Sequence, residues 1–221
     1  MLLGIAAVCY EGLVRPGSWR EQTNLGHRLG GDVFTEHSEN TLQLFRKSIA
    51  ELESHSDYLY SECDLQETAD HHIVIFHDRD LRGLVPDTLY NRQTLDVEEI
   101  GHQKICELTL SQVKRLRLAD GQSIPTLEET LATALELDLQ KPLILEIKFF
   151  HSDRGRQAAL DIASRFKDQA DFEINFSAFR RNLSRSFDHP PTWLAKFQDK
   201  GFRIYQVYRP IAEDYDLCET W

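Results

Sequence analysis

Five short pieces of this chain carry side chains suited to chemistry on a phosphate diester: Gly26-His27-Arg28, Ser38-Glu39-Asn40-Thr41, Glu62-Cys63-Asp64, His77-Asp78 and Glu146-Ile147-Lys148. Glu62, Asp64 and Glu146 offer three carboxylates for a hard cation, His27 and His77 two imidazoles for proton transfer, and Arg28 and Lys148 two cations for an anionic substrate. Displacement at a phosphodiester loads further negative charge onto a group that is already an anion, so a dication and fixed cations stabilise its transition state. Three carboxylates suit magnesium or calcium, which prefer oxygen ligands, whereas zinc more often recruits histidine or cysteine. An imidazole titrates near about pH 6.5 when unperturbed, so two of them in different surroundings can serve as base and acid.

Such groups work only if the backbone aims them together. Side chains alternate faces along a strand, so Glu62 and Asp64 share a face, as do Glu146 and Lys148, while Cys63 turns to the packed side. Tyr58-Leu59-Tyr60 and Leu65 frame the first pair, and Pro142-Leu143-Ile144-Leu145 leads into the second. Ile73-Val74-Ile75-Phe76 leads in the same way to His77 and Asp78. Apolar strands that end in polar residues are how barrel enzymes display their chemistry. Taken alone, Glu62-x-Asp64 reads as an exposed strand edge, His27 as a loop residue and His77 as a capping one. Their combination with Glu146 turns all of them toward a site.

The bulk numbers set bounds. The 221 residues suffice for one large domain, and no linker divides them. A hydrophobic fraction of 41%, with 12 Phe, 7 Tyr and 3 Trp, builds a substantial core. A net charge of −11 repels polyanions and argues against nucleic acid as a partner, yet a pocket holding a metal and a few cations can still receive a small anion. Cys9, Cys63, Cys106 and Cys218 form no C-x-x-C pair, so reduced thiols are expected. The apolar start, Met1 to Tyr10, lacks a basic residue before it and is read as a strand or packing segment, with a cytoplasmic location expected and no membrane span.

Leu42, Phe45, Ile49 and Leu52 predict a helix ending near Ser54 to Asp57, followed by the Glu62 strand, a turn at Asp70-His71-His72 and the His77 strand. His71 and His72 are assigned to a solvated turn, and His37, His55, His102, His151 and His189 carry no supporting pattern. The order strand, helix, strand predicts parallel β/α construction. From Asp78 to Ser123 the alternation stops; the stretch is too long for a simple loop and reads as an insertion over the pocket, with a short helix near Leu110 to Arg115 capped by Thr109 or Ser111. Alternation resumes with a Thr126/Glu129 capping box, the Glu146 strand, a helix from about Gly155 to Gln169 and a strand at Phe172 to Phe176. A helix through Trp193 to Lys200 and a strand at Phe202 to Tyr208 close the pattern.

In this order the pieces resemble the glycerophosphodiester phosphodiesterases, divalent-metal enzymes on a TIM-barrel scaffold. The family pattern runs His-Arg-Gly, Pro-Glu-Asn-Thr, Glu-x-Asp, His-Asp, Ile-Pro-Thr-Leu-Glu-Glu and Glu-x-Lys, and nearly all of it is kept between His27 and Lys148. The resemblance implies Glu62, Asp64 and Glu146 as ligands of one Mg²⁺ or Ca²⁺, His27 and His77 as the catalytic pair, and Arg28 and Lys148 as phosphate contacts. Glu39 falls beside them as a supporting polar group, and residues 78–123 match the insertion that helps to hold the glycerol moiety. Leu29 stands where the family usually has glycine and Ser38 where it usually has proline. Downstream, the last strand with its Thr-Asp ending and the tryptophan near the seventh strand are missing, with Gln206, Val207 and Tyr208 in that neighbourhood. The expected fold is therefore one α/β domain over 1–221, a TIM (β/α)8-type barrel shortened or incomplete at its C-terminal end, with the insertion after its third strand.

The implied function is metal-dependent hydrolysis of a glycerophosphodiester to glycerol 3-phosphate and an alcohol. His27 would take the proton of the nucleophile, the glycerol 2-hydroxyl or a water, and His77 would protonate the leaving alkoxide; sequence leaves the reverse assignment open. A related lipase of phospholipase D or phosphoinositide type is the alternative enzyme. A barrel that keeps the site but only binds is the alternative of another class. The expected partner is a small glycerophosphodiester, and homo-oligomerisation is left open.

Overall fold

β1 (Ser61–Glu67) is buried along its whole length, and a mixed sheet extends from it on both sides. The computed structural model describes residues 24–187, 190–208 and 216–220. Six strands lie in the order β2-β1-β3-β4-β5-β6, with β2 (Ile73–Ile75), β3 (Leu143–Phe149), β4 (Ile174–Phe179), β5 (Ile204–Tyr208) and β6 (Asp216–Thr220). β1, β3, β4 and β5 are parallel neighbours, and antiparallel β2 and β6 form the two edges. The parallel strands are joined through α4 (Leu127–Glu136), α5 (Asp153–Lys167), and the pair α6 (Arg180–Ser186) and α7 (Pro190–Asp199). This is β/α barrel construction left open: the described strands form a sheet with two edges, as a shortened barrel would.

Alternation explains which face is which. Cys63, Leu65, Leu143, Leu145, Ile147, Phe176 and Ala178 point into a core shared with α4, α5 and α7, where Phe176 packs edge-on against Phe197 and Phe202. Glu62, Asp64 and Glu146 point to the other face. The register places Asp64 directly beside Glu146, so two of the carboxylates are strand neighbours by construction. α1 (Leu42–Leu52) is capped by Thr41, whose hydroxyl accepts from the Leu44 N–H, and it buries Leu44 and Phe45.

The segment after His77 has a second hydrophobic cluster of its own, in which Leu81, Val85, Leu95, Ile105, Val113 and Leu116 gather on Val74 and Phe76. It contains α2 (Leu89–Leu95) and α3 (Leu110–Arg115), the latter opened by a Thr109/Gln112 capping box. The buried Asn91 amide ties it together, donating to the Pro86 and Arg117 carbonyls while its oxygen accepts from the Arg117 N–H.

Several expectations shift. Parallel construction fails at β2, which returns through the turn after Glu67 as an antiparallel hairpin partner of β1, because the five residues 68–72 can reverse a chain but cannot cross over. The strand expected at Phe172 to Phe176 starts at Ile174 and runs on to Phe179. α2, α6 and β6 gave no sequence signal; the two helices have only seven residues each, and β6 is a five-residue edge paired on one side. The apolar start, Met1 to Tyr10, and the side chains of Cys9, Cys218, Gln206, Val207 and Tyr208 lie outside the described residues. Cys63 and Cys106 are free thiols. Among the described residues no helix is long and apolar enough to cross a membrane.

Candidate active site

The site begins with a backbone that most residues avoid. After His27 the chain makes a tight turn in which Arg28 (φ 50°), Leu29 (φ 59°) and Gly30 (φ 97°) are all left-handed. Gly26 permits the turn to lie against β1: a Cβ there would sit 2.1 Å from the Tyr60 carbonyl oxygen. In return the Glu62 N–H donates to the Gly26 carbonyl at 2.9 Å, and the Arg28 N–H donates to Glu62 Oε2 at 2.9 Å. Leu29, where glycine would cost less, spends its side chain in the core at 0% exposure.

This turn, β1, β3 and the end of β2 converge. Glu62, Asp64 and Glu146 are all buried and present one oxygen each within 4.8 Å of one another. Lys148 Nζ sits among them, 2.5 Å from Glu146 Oε1 and 3.0 Å from Asp64 Oδ1, the second contact lying off the hydrogen-bonding direction. Asn40, itself left-handed at φ 59°, donates from its side-chain amide to Asp64 Oδ2 at 2.7 Å. Glu62 Oε1 is buried and accepts no hydrogen bond. Three carboxylates and one ammonium leave an excess of negative charge matched to a dication, and an orphaned buried oxygen is what a missing ligand bond looks like. The residues present therefore fit a hard divalent cation.

The electrostatics agree. Burial, reinforced by Asp64 and Glu146, pushes the Glu62 carboxyl well above the usual range. Burial also raises Glu146, less because Lys148 opposes it. For Asp64 burial pushes the same way but loses to Lys148, His77 and the Asn40 amide, so its carboxyl falls below the ordinary value. Burial would lower Lys148, yet the surrounding carboxylates outweigh it and raise the ammonium.

Both expected histidines border this cluster. His27 Nδ1 is 2.7 Å from Asp32 Oδ2, while its Nε2 faces Glu62 Oε2 at 3.8 Å. His77 Nδ1 is 2.8 Å from Asp78 Oδ1, and Arg28 donates to His77 Nε2 at 2.9 Å. A guanidinium cannot accept, so His77 Nε2 carries the lone pair in this arrangement and Nδ1 carries the proton. The other arm of Arg28 donates to Glu39 Oε2 at 2.8 Å. Beside Glu39 a cleft of about 410 Å³ opens between Gly31, Thr35 and Ser38 on one wall and Gly83, Leu84 and Asp120 on the other. That volume is within the range of small-ligand sites.

All eight residues singled out from sequence, His27, Arg28, Glu39, Glu62, Asp64, His77, Glu146 and Lys148, thus come to one place. Asp32, Asn40 and Asp78 were not assigned any role. Asn40 and Asp78 stand inside recognised pieces and could have been found there. Asp32 has no signal at all, because only the left-handed turn brings it back onto His27.

Comparisons with known proteins agree with this picture. The pattern of the glycerophosphoryl diester phosphodiesterase family matches residues 27–217. Among solved structures, a candidate glycerophosphodiester phosphodiesterase from Galdieria sulphuraria superposes with a TM-score of 0.60 at 22% identity, over 85% of this chain and 65% of that one. The glycerophosphoryl diester phosphodiesterase domain of an uncharacterised Mycobacterium tuberculosis protein gives 0.52 at 14% identity, over 82% of this chain and 58% of that one. An Oleispira antarctica phosphodiesterase, in complex with the product sn-glycerol-3-phosphate, gives 0.50 at 19% identity, over 80% and 71%. At such identities these structures speak for the fold, and this chain spans less than two thirds of the first two. No curated protein matches the chain.

Proposed function

From the premise that this chain belongs to the glycerophosphoryl diester phosphodiesterase family, we propose that it hydrolyses glycerophosphodiesters to glycerol 3-phosphate and an alcohol with the help of one divalent cation. The observation that carries the proposal is the convergence of Glu62, Asp64 and Glu146 within 4.8 Å, flanked by His27 and His77. A related protein, the Oleispira antarctica phosphodiesterase, holds sn-glycerol-3-phosphate as its product.

Glu62, Asp64 and Glu146 would hold Mg²⁺ or Ca²⁺, which supplies Lewis-acid polarisation of the phosphoryl oxygens when bound. Asp32 keeps the His27 proton on Nδ1 and leaves Nε2, on the carboxylate side, to take the proton of the nucleophile. The nucleophile is the glycerol 2-hydroxyl or a water. Arg28 leaves His77 and forks onto the phosphate while Glu39 keeps hold of it. His77, released by Arg28 and oriented through Nδ1 by Asp78, takes up a proton on Nε2 from solvent and, as the imidazolium, gives it to the alkoxide as the P–O bond to the alcohol breaks. Lys148 follows the phosphate as a point charge. Residues 78–123, which form one wall of the cleft beside Glu39, border the organic end of the substrate, within a single domain.

The test is phosphorus NMR of glycerophosphocholine incubated with the protein. Glycerol 3-phosphate should accumulate with added Mg²⁺ or Ca²⁺ and not in chelator. Binding without turnover in both conditions would leave only a binding module.

A further inference from the structure

On the opposite face of β1, by alternation from Glu62 and Asp64, a second group of coordinating side chains has no part in that reaction. Glu67 ends β1, His71 lies in the turn to β2, and His151 stands just before α5; one ligand atom of each lies within 4.8 Å of the others. Glu67 Oε1 is 2.8 Å from His71 Nδ1 and 3.4 Å from His151 Nε2. The Thr68 carbonyl oxygen lies 3.0 Å from His151 Nε2, and Ser152 Oγ lies 2.9 Å from His71 Nδ1. Ligands at the corners of a tetrahedron with bonds of about 2.0–2.1 Å stand roughly 3.3 Å apart, and these separations bracket that value.

The simpler explanation is that Glu67 caps α5. Its Oε2 accepts from the His151 and Ser152 N–H groups, as an anion at a helix start should. The hydroxyl of Ser152, the N-cap of α5, donates to the other oxygen, Oε1, yet that network does not require two imidazoles turned onto the same atom. His71 moreover adopts φ 69°, a left-handed conformation that glycine or asparagine would occupy more cheaply. Room for the carboxylate is also kept deliberately clear, since a Cβ at Gly155 would lie 2.0 Å from the Glu67 carboxyl carbon. Both rings are partly exposed, His71 at 31% and His151 at 27%, so an ion has a path in.

We propose that Glu67, His71 and His151, completed by the Thr68 carbonyl oxygen, form a second metal site of zinc type that clamps the β1–β2 turn to the start of α5. Two imidazoles and a carboxylate are a zinc donor set, in contrast with the all-carboxylate site on the other face. In the metal-free arrangement the inward nitrogens, His71 Nδ1 and His151 Nε2, carry the ring protons, because they face the Glu67 carboxylate and the Thr68 carbonyl; on binding, each imidazole moves its proton to the far nitrogen through solvent and coordinates through the inward one. The site stands independently of the proposed function, because it uses none of the same residues.

The test is equilibrium dialysis of the whole chain against Zn²⁺ in a large excess of Mg²⁺, followed by metal analysis and thermal melting. Wild type should retain one zinc and melt higher with it, and Glu146→Gln should retain it too. His151→Ala and His71→Asn should lose it, with zinc affinity down by more than about 100-fold, since even outer-shell partners are worth 10–100-fold. Asparagine is chosen at 71 because it accepts the left-handed backbone, so that variant separates loss of the ligand from loss of the turn. Failure of wild type to retain zinc would overturn the proposal. So would retention in His71→Asn coupled with loss in Glu146→Gln.

Discussion

Glu62 shows how much of a site's character lies in single side chains. It is buried, one of its oxygens accepts nothing, and burial and two carboxylates push it toward its protonated form. Ionised Glu62 therefore destabilises the fold unless a cation answers it, and Glu62→Gln should raise the melting temperature in chelator, by roughly 2–4 °C for each kcal/mol relieved. The same variant should no longer be stabilised by Mg²⁺ or Ca²⁺; melting curves with and without metal check both statements. Leu29 poses the opposite balance. Leu29→Gly relieves about 1–2 kcal/mol of left-handed strain but removes a fully buried side chain worth about 2–5 kcal/mol, so a net loss of about 1–3 kcal/mol is expected in urea unfolding. Sequence disclosed Glu62 with Asp64 and Glu146 with Lys148 because a spacing of two puts them on one strand face, and His27 and His77 because they stand inside the ordered pieces that carry the family resemblance. It did not disclose Asp32, whose bond to His27 depends on three left-handed residues that the sequence does not announce.

Elements position these groups through a few polar ties. The loop carrying Ser38 and Glu39 is fixed to the segment after His77 by Asp120, which accepts from the Ser38 and Gln122 N–H groups. Burial pushes the Asp120 carboxyl up, but those donors win and hold it below its ordinary value. A carboxyl so held contributes stability in full above its unfolded value of about 3.9, and that contribution disappears as pH falls through the lower folded value. Asp120→Ala should thus cost about 1–2 kcal/mol at neutral pH. The difference from wild type should shrink below about pH 4, as urea melts at the two pH values would record. Gly26→Ala should act on the neighbouring tie: the clash with the Tyr60 carbonyl pushes the turn off β1 and should lower activity more than stability, read as kcat against melting temperature. Helices with capping boxes, α3 and α4, were legible because their ends are written in side chains. α6 lacks a side-chain cap and α2 has a Thr88 cap inside an irregular stretch, so neither stood out. The reversal at β2 was legible in the shortness of the turn at Asp70-His71-His72, which cannot cross over, although the strand itself reads the same in either direction.

At the scale of the molecule, the described residues form four parallel strands bordered by two antiparallel ones, and the neighbouring parallel strands β1 and β3 carry the carboxylates within a sheet that these residues leave open. The register of β1 on β3 sets Asp64 beside Glu146, and the turn after His27 brings Glu62 under a backbone donor. An open sheet holding three buried carboxylates should depend on its cation for rigidity as well as for chemistry. The most direct measurement is turnover of glycerophosphocholine followed alongside calorimetric titration of Mg²⁺ or Ca²⁺, in wild type and in Glu146→Gln. One equivalent should bind to wild type, with activity rising in step with occupancy, and Glu146→Gln should lose both together. Turnover that persists undiminished in chelator, or in Glu146→Gln, would contradict the account.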